Sequence, residues 1–524
     1  MLITLSDYLK FDSEKYPENI ALRYKGSSIT YKSLNDEVNK VASLLLKIGL
    51  EKKDRVAIYL EKSPEEVISL LAINRAGGVF VDIHHQQKSP QVLYILNDSG
   101  AKVFITTRQR CNNIKNIFSE CPELKYIIVH GNGESLSLPN IRVVDLASVV
   151  PNAKFKRNII ENDICCLYYT SGSTGKPKGV ILSNRNVIVS AESAIEFLEH
   201  NAGDKVLSVL PFSFDYGLAQ LTQSICSGGT CVLLNYIFPR DILNELISEK
   251  ITAIGMLPTL WLQLLQLDWD YKQLPHLRYI TNSSSKLPEA AVKELRRRLP
   301  NTKFYLMYGL TEAFRATYLS PDKIDRKPTS IGQAIPNVEL FIINKDGKKC
   351  GPGEEGELVQ RGPHVALGYW NNLETTNSKF KNNPFSTPEV CTKEIVVYSG
   401  DRVVMDEEGD IYFIGRYDEL IKSSGYRVSP TEIEEALYNI KEINLAAVFG
   451  VPDDIIGQKI VAVISLREET AIDVAKIKLK CNDILPNYMV PREIEIWDTL
   501  PLTPVGKIDR VKIKNDFMEK QKNE

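Results

Sequence analysis

CCLYYTSGSTGKPKGV, residues Cys165–Val180, is the stretch that decides the interpretation of the fold. Its apolar start, which contains the adjacent Cys165 and Cys166, is typical of a buried strand. The strand leads into a loop with three glycines, several hydroxyl side chains and two lysines. Such a loop can turn tightly and offer N–H, hydroxyl and ammonium groups to phosphate oxygens. Pro177 stands where a Walker A loop has Ser or Thr, so the loop is of another kind. The alternative for a loop of this composition is a solvated turn.

Short apolar strands alternate with amphipathic helical stretches over roughly the first 400 residues, a pattern typical of α/β layers. One unit consists of RVAIYL (Arg55–Leu60), the helical stretch SPEEVISLLAINRAG, and GVFVDI (Gly78–Ile83). The strand KVFIT (Lys102–Thr106) follows another helical stretch. Successive strand–helix–strand units predict doubly wound sheets in a large N-terminal domain of the α/β class.

The pattern changes between residues 400 and 430. Two strand-like segments, DRVVMD and DIYFIGR, flank the turn Glu407–Gly409, which predicts a hairpin. A polar connection then leads to the helical TEIEEALYNI, the strands AAVFGVP and KIVAVISL, and a helix from about Ala471. These segments predict a smaller α+β C-terminal domain at about residues 419–524.

Composition narrows the class of protein. The chain of 524 residues is too long for one compact core, so two or more domains are expected. Its net charge of −2, from 64 basic and 66 acidic residues, gives no electrostatic reason to bind nucleic acid or an anionic membrane. The first residues carry no apolar run of a signal peptide, and no uncharged apolar stretch approaches the roughly 18 residues of a membrane span. The nine cysteines form no CxxC pair and the six histidines show no HExxH spacing. A cytoplasmic protein with reduced thiols is therefore expected.

The string TSGSTGKPKG resembles the phosphate loop of the adenylate-forming superfamily, which includes acyl-CoA synthetases, peptide-synthetase adenylation domains and luciferases. Four further motifs of that family follow in order: MYGLTEA, YSGDRV with GRYDELIK, SSGYRVSPTEIE, and PLTPVGKIDR. The resemblance covers nearly the whole chain. It implies an enzyme that uses ATP and Mg²⁺ to convert a carboxylic acid into its acyl-AMP and then passes the acyl group to a thiol. The loop residues implied to hold the phosphates are Thr170, Ser171, Gly172, Ser173, Thr174, Gly175 and Lys178.

MYGLTEA, residues Met307–Ala313, supplies the next implied contacts. By resemblance, Tyr308 stacks on adenine with Gly309 beside it, Thr311 contacts the α-phosphate, and Glu312 helps to hold Mg²⁺. A hard cation that bridges phosphates prefers carboxylate oxygen ligands, so the residue types suit this chemistry. Taken alone, the Thr-Glu pair would be interpreted as a helix N-cap with its capping partner.

The last motifs imply a mobile C-terminal domain. Asp401 corresponds to the residue that accepts both ribose hydroxyls, and a carboxylate suits a diol because it has two acceptor oxygens. Arg416 is implied to join these contacts, although a surface ion pair is the alternative for any one such charge. Residues 416–418 are implied to form the hinge between domains 1–415 and 419–524, with Asp418 as the hinge residue. Gly425 is implied to line the tunnel that the thiol enters.

Lys507 in PLTPVGKIDR matches the catalytic lysine of the adenylation step. It lies in the predicted mobile domain, so it would reach the substrate carboxylate only when that domain closes. A cation placed where negative charge develops is an effective way to lower a barrier. A lysine in an ordinary Pro/Gly loop would simply be solvated.

The segment LPFSFDYGLAQL, Leu210–Leu221, bears on the choice of acid. Amino-acid-activating members of the family have a Phe-Asp pair there, and the aspartate binds the α-ammonium group, which implies this role for Asp215. The alternative is that Asp215 caps a helix that begins near Gly217. Stand-alone enzymes that load L-proline onto a peptidyl carrier protein share this segment. Only about 14 residues follow Arg510, too few for a carrier domain, so a separate carrier is expected.

The remaining pocket residues are assigned by alignment with the family. The implied substrate contacts are Asp215, Tyr216, Ala219, Ser283, Ser284 and Met307, and further candidates are Arg315 and Ala316. Asn282-Ser283-Ser284 replaces a Gly-Gly-Glu-like triplet, so specificity codes do not transfer directly. For Arg315 a salt bridge outside the pocket is an equal alternative. The rival functions are an acyl-CoA or acyl-carrier-protein ligase for a fatty or aryl acid, and a catalytically silent homologue that serves as a scaffold.

Overall fold

The structure is a computed structural model that describes residues 2–131, 137–146, 158–170, 177–417, 419, 421–423, 426–453, 456–468, 470–485 and 489–523. Its α-helices are α1 (Leu5–Lys15), α2 (Tyr31–Lys47), α3 (Pro64–Arg75), α4 (Ser89–Ser99), α5 (Arg108–Asn113), α6 (Asn184–Leu198), α7 (Asp215–Ser227), α8 (Pro239–Ser248), α9 (Pro258–Leu265), α10 (Glu289–Arg298), α11 (Leu373–Lys379), α12 (Pro430–Tyr438), α13 (Val474–Ile484) and α14 (Arg510–Asn523). Short 3₁₀ helices span Lys115–Glu120 and Tyr271–Gln273.

The strands are β1 (Ile20–Tyr24), β2 (Ser27–Thr30), β3 (Arg55–Tyr59), β4 (Val79–Asp82), β5 (Val103–Thr107), β6 (Tyr126–His130), β7 (Arg142–Asp145), β8 (Ile164–Thr170), β9 (Lys178–Ser183), β10 (Lys205–Ser208), β11 (Thr230–Leu233), β12 (Ala253–Met256), β13 (Tyr279–Asn282), β14 (Lys303–Tyr308), β15 (Thr317–Leu319), β16 (Gln333–Ala334), β17 (Glu339–Ile343), β18 (Glu355–Arg361), β19 (Phe380–Asn382), β20 (Ile395–Met405), β21 (Ile411–Arg416), β22 (Ile421–Ser423), β23 (Tyr426–Val428), β24 (Ile443–Asp453), β25 (Gly457–Leu466) and β26 (Glu493–Ile496).

Two largely parallel sheets form most of the N-terminal part of the described chain. One has nine strands in the order β16-β15-β14-β13-β12-β10-β11-β1-β2, and the other has seven in the order β7-β6-β5-β3-β4-β8-β9. Helices connect the parallel strands; α3, for example, lies between β3 and β4, which pair in parallel. The Ser63 side chain accepts a hydrogen bond from the N–H of Glu66, and Pro64 occupies the first helical position. Both features are typical of a helix start and explain why α3 begins there.

The two sheets share one apolar core. Leu34, Leu71 and Leu218, from α2, α3 and α7, belong to it together with Val56 of β3 and Cys231 of β11. Each of these side chains is essentially inaccessible to water. Since α7 packs in this core, the residues at its start are held rigidly at the edge where the functional motifs meet.

A smaller sheet, β23-β22-β25-β24 with β26 paired to β25, follows the hairpin β20–β21. Ile433 of α12, Ala462 of β25 and Ile477 of α13 share a core of their own on one side of it. On the other side, Leu445 of β24 belongs to the same apolar cluster as Trp261 of α9. The last sheet therefore has its own interior and also packs against the N-terminal part.

The predicted strand–helix–strand unit, the hairpin around residues 407–409 and the buried strand at Cys165–Cys166 are confirmed. The predicted helix near Ala471 exists but starts later, at Val474. Asp473 caps this start by accepting a hydrogen bond from the N–H of Ala475. The domain boundaries at 415 and 419 stay a prediction, since Asp418 lies outside the described residues. None of the helices in the described ranges combines the length and apolarity that a bilayer crossing requires.

Candidate active site

Asp215 lies at the start of α7, beside the turn that carries Thr311. The helix begins at Asp215 itself, with Phe214 in the N-cap position and without a side-chain cap. The Thr311 hydroxyl donates to Asp215 Oδ2 at 2.6 Å, and the N–H of Tyr216 donates to Oδ1 at 2.7 Å. The alternative of a helix that begins near Gly217 with Asp215 as its cap is therefore wrong. The carboxylate is oriented by two donors and is only 9% exposed.

Electrostatics at Asp215 depend on two opposing effects. Burial raises the pKa of Asp215, whereas the hydrogen bond from Thr311 and the positive charge of Lys507 lower it. Burial in turn lowers the pKa of Lys507, which the charge of Asp215 opposes. The two groups thus stabilise each other's charged form in a site that is poor in water.

Lys507 reaches this site from the C-terminal part of the chain. Its ammonium nitrogen lies 5.0 Å from the centre of the Phe214 ring, a distance suited to a cation–π contact. The loop that carries it is closed by hydrogen bonds between Thr503 and Lys507. The Thr259 hydroxyl at the start of α9 also donates to the carbonyl oxygen of Gly506 at 2.7 Å. The structure therefore brings Lys507 to the predicted substrate motif.

Glu312 lies in a turn with Thr311, not at a helix start, so the N-cap alternative for this pair is not what the fold shows. The Tyr369 hydroxyl donates to Glu312 Oε1, and the N–H of Ala366 donates to its carbonyl oxygen at 2.9 Å. Lys178 Nζ lies 5.9 Å from the centre of the Tyr369 ring. One half-buried carboxylate fits Mg²⁺, which usually takes one or two carboxylates together with substrate phosphates and water. Among the described residues, no group of three or more His, Cys, Asp or Glu side chains could hold a metal by itself.

Asp401 and Tyr308 form the predicted nucleoside side of the site. The Tyr308 hydroxyl donates to Asp401 Oδ2, and Arg416 Nε lies 3.4 Å from Oδ1. Burial raises the pKa of Asp401, and the Tyr308 hydrogen bond and Arg416 oppose this shift. Asp401 Oδ1 accepts no hydrogen bond from the described residues, so an acceptor is available for a ligand hydroxyl.

Thr170 and Lys178 face each other across the open end of the hairpin β8–β9. The loop between them, residues 171–176, lies outside the described residues, so the predicted contacts of Ser171, Gly172, Ser173, Thr174 and Gly175 are not placed. Pro177 is described, and its carbonyl oxygen accepts a hydrogen bond from the Tyr94 hydroxyl at 3.0 Å. The described residues on either side, Thr170 and Pro177–Lys178, are therefore held by strand pairing and by the Tyr94 hydroxyl.

A cavity of about 10 Å³, close to the space that a single water molecule requires, lies beside Tyr216; Asp215 itself does not line it. Tyr216, Met307 and Arg315, which the alignment assigns to the substrate pocket, line this cavity, and their contacts with substrate stay predictions. Gly255 forms part of its wall, and a Cβ atom there would lie 2.5 Å from the Tyr216 hydroxyl oxygen. The absence of a side chain at this position leaves room for the bond of 2.5 Å between the hydroxyls of Tyr216 and Thr281.

Other predicted pocket residues do not line this cavity. Ala219 is on another side of α7 and belongs to the core between the two sheets. Ser283 and Ser284 follow directly after β13, and Ala316 is buried just before β15. Asp418 and Gly425 lie outside the described residues. The roles given to all of these residues stay predictions.

Sequence reasoning missed Gln220 and Gln223, which line the cavity from α7. They lie four and seven residues after Tyr216, so all three share one helix face. The available signal was two amide side chains on the same helix face as Tyr216, since polar side chains that become buried need partners. Gln223 donates to the Tyr279 hydroxyl at 3.2 Å, and Gln220 donates to the Gly255 carbonyl at 2.9 Å.

Two family models match the chain: "AMP-binding enzyme" over residues 9–370 and "AMP-binding enzyme C-terminal domain" over residues 432–507. The chain belongs to the AMP-binding enzyme family. Membership confirms the predicted superfamily and the class of an AMP-forming ligase that uses ATP with Mg²⁺. It also confirms the predicted α/β fold with a large N-terminal and a smaller C-terminal domain.

Relatives of this AMP-binding enzyme include a peptide synthetase and a CoA ligase. Gramicidin S synthase 2 of Brevibacillus brevis is 31% identical over 515 residues, which are 97% of this chain and 11% of the synthase. A long-chain-fatty-acid–CoA ligase of Bacillus subtilis (strain 168) is 29% identical over 551 residues, 98% of this chain and 95% of the ligase. The chain spans about a tenth of the length of the synthases that it matches first.

A solved structure gives the same architecture. O-succinylbenzoate coenzyme A synthetase (MenE) of Bacillus subtilis, in complex with ATP and magnesium ion, superposes with a TM-score of 0.82 at 25% identity. The match covers 97% of this chain and 99% of the synthetase. Peptide synthetases and CoA ligases thus both resemble this AMP-binding enzyme, and the acid and the thiol have to be argued from the site.

Proposed function

We propose that this AMP-binding enzyme activates an amino acid as its aminoacyl-AMP, releases pyrophosphate, and transfers the aminoacyl group to the phosphopantetheine thiol of a separate carrier protein. The observation that supports this most is the buried Asp215 carboxylate, held by Thr311 and set near Lys507. An anion and a cation in one site, here linked through their electrostatic influence and the Phe214 ring between their segments, complement the ammonium and carboxylate groups of a free amino acid. Thr311 links this pair to the turn that carries Glu312.

In the first step, an oxygen of the substrate carboxylate attacks the α-phosphorus of ATP. A new oxygen–phosphorus bond forms, and the bond to the β-phosphate oxygen breaks so that pyrophosphate leaves with the electron pair. Lys507 holds the attacking carboxylate and compensates the charge that develops on the α-phosphate. Thr311 contacts the same phosphate, and catalysis depends mainly on this positioning.

The nucleotide is held at three places in the proposed site. Asp401 accepts the ribose hydroxyls with Arg416 beside it, and Tyr308 lies against adenine. Thr170, Lys178 and the loop between them hold the departing phosphates. Glu312, oriented by Tyr369, holds Mg²⁺, which when bound offsets phosphate charge and favours attack by an anion.

In the second step, the thiolate of the carrier attacks the carbonyl carbon of the aminoacyl-AMP and AMP leaves. We propose that residues 416–418 are the hinge between domains 1–415 and 419–524, with rotation about Asp418 that brings Gly425 to the thiol tunnel. This rotation would break the bond from Thr259 to Gly506 and withdraw Lys507. Few other polar contacts join the N-terminal and C-terminal parts among the described residues. One of them is the ion pair of 3.4 Å between Lys286 and Glu435.

L-Proline is the specific amino acid that the resemblance of Leu210–Leu221 favours. The second candidate function is an acyl-CoA ligase for a fatty or aryl acid. The B. subtilis fatty-acid ligase favours it, because this chain covers 95% of that enzyme, whereas it covers 11% of gramicidin S synthase 2.

Exchange of labelled pyrophosphate into ATP, measured with the proteinogenic amino acids and with fatty and aryl acids, tests the proposal. Amino-acid-dependent exchange is expected, and the Asp215→Asn variant should lose it while ATP still binds. Exchange that depends only on fatty or aryl acids would support the second candidate. The thiol acceptor is then identified by incubating the enzyme that holds aminoacyl-AMP with CoA and with a phosphopantetheinylated carrier, and by measuring which thiol receives the aminoacyl group.

A further inference from the structure

Arg315 is a buried cation in the wall of the cavity beside Tyr216. It is 8% exposed, and it lines the cavity together with Tyr216, Gln220 and Met307. Within the part of the chain that the structure describes, it forms no ion pair with a carboxylate. The expected alternative of a salt bridge outside the pocket is therefore not what the described residues show.

The guanidinium group has few hydrogen-bond acceptors. Its described contacts are Gln223 Oε1, 3.3 Å from one terminal nitrogen, and the Met307 sulfur, 3.8 Å from the other. A guanidinium carries five N–H donors in a planar fork that matches a carboxylate. Burial of such a group without an anion is unfavourable. Burial also lowers the pKa of Arg315.

Neighbouring residues fix the position of Arg315, and the backbone before it is strained. Phe314, the residue before it, has a φ of +57°, which is rare for a bulky side chain. The Gln360 amide donates to the Arg315 carbonyl oxygen at 2.7 Å. Gln223 is fixed in turn by its bond to the Tyr279 hydroxyl. Strain and buried polar bonds of this kind are characteristic of positions that serve a ligand.

We infer that Arg315 binds a second carboxylate of the substrate, so that the acid activated is a short acidic amino acid of the aspartate class. The ammonium group would lie at Asp215, the reacting carboxylate at Lys507, and the side-chain carboxylate at Arg315. The cavity has room for about one water molecule, so it would admit no more than one oxygen of that carboxylate. This inference rests on the proposed activation of an amino acid and competes with L-proline as the substrate, because the methylene groups of proline offer Arg315 no acceptor.

Pyrophosphate exchange with matched acids tests the inference. We compare aspartate, its neutral isostere asparagine, glutamate, proline, and succinate, which lacks the ammonium group. Aspartate should exceed asparagine by about 100-fold in kcat/KM, the size expected for hydrogen bonds to a charged group. Succinate should be poor, because it leaves Asp215 without a cation.

Variants separate a substrate contact from a structural role. Arg315→Met should abolish the preference for aspartate over asparagine with an unchanged KM for ATP, and Arg315→Lys should restore part of it. Arg326→Met is the matched control, since Arg326 is exposed and pairs with Glu408 at 2.9 Å. If Arg315→Met does not fold, thermal shifts of the wild-type enzyme with aspartate and with asparagine give the same comparison.

The outcomes distinguish this inference from the proposed function. Exchange with proline or asparagine that equals exchange with aspartate would overturn the role of Arg315 and leave amino-acid activation intact. An unchanged preference in Arg315→Met would do the same. Exchange with succinate as strong as with aspartate would refute the acidic amino acid and the role of Asp215. No exchange with any acid would overturn the proposed function and this inference together.

Discussion

Replacement of Lys507 by alanine removes the only described lysine that lies against Phe214 and influences the charge of Asp215. Deletion of one positioned donor to a developing oxyanion costs about 10²–10³ in rate, or ~2.7–4 kcal/mol. Burial of Lys507, which lowers its pKa, places its charge where the local dielectric is low and the interaction with the α-phosphate is strong. We therefore expect Lys507→Ala to slow adenylation by about 10³-fold, the upper end of that range.

Two assays isolate the step that is affected. Pyrophosphate exchange reports the first step, and transfer from chemically prepared aminoacyl-AMP to the thiol reports the second. Only the first should fall, because the proposed rotation withdraws Lys507 before the thiol attacks. Lys512→Ala is the matched control, since Lys512 is an exposed lysine of α14 paired with Asp516 at 3.0 Å. A loss of less than about tenfold, ~1.4 kcal/mol, would refute the electrostatic role.

Three other changes test separate parts of the site. Asp215→Ala should raise the KM for the amino acid by about 10²-fold while ATP affinity stays unchanged; unchanged amino-acid affinity in equilibrium binding would remove Asp215 from the substrate site. The pH dependence of exchange should be bell-shaped: burial raises the pKa of Asp215 above its ordinary 3.8, so activity falls as pH drops through that higher value. Burial lowers the pKa of Lys507 below 10.5, so activity also falls as pH rises through that lower value; an acid limb that persists in Asp215→Ala would assign it to another group. Gly425→Leu should block transfer to the thiol with normal exchange, as measured by release of free aminoacyl-AMP without loading, and equal loss of both steps would contradict the tunnel role.

The fold could be predicted because each of its main signals is local. The helical stretch after Ser63 and the turn at Glu407–Gly409 depend on residues close in sequence, and both were placed correctly. The start of α7 was misplaced by two residues. Its N-cap position is occupied by Phe214, a residue without a capping side chain, so packing rather than capping decides where this helix begins.

Only some residues of the candidate site could be predicted from the sequence. Asp215, Thr311 and Lys507 were found because each belongs to a motif, yet their proximity joins segments that are far apart along the chain. The burial of Arg315 without an ion pair among the described residues could not be predicted, since a single arginine in a sequence does not indicate whether a carboxylate of the protein lies beside it. For Ala219, the position in an alignment does not reveal which face of α7 meets the cavity, so its role stays a prediction.

The buried charges of Asp215 and Lys507 bear on the order of events. Rotation of the C-terminal domain would carry Lys507 away and leave the Asp215 carboxylate buried without a cation, a state that is unfavourable in an empty pocket. With an amino acid bound, the substrate ammonium takes over that compensation. Occupancy of the pocket thus lowers the free energy of the rotated state, and by thermodynamic reciprocity rotation strengthens retention of the ammonium group. If the C-terminal domain rotates as proposed, an empty pocket disfavours its opening toward the thiol acceptor, and a bound amino acid favours it.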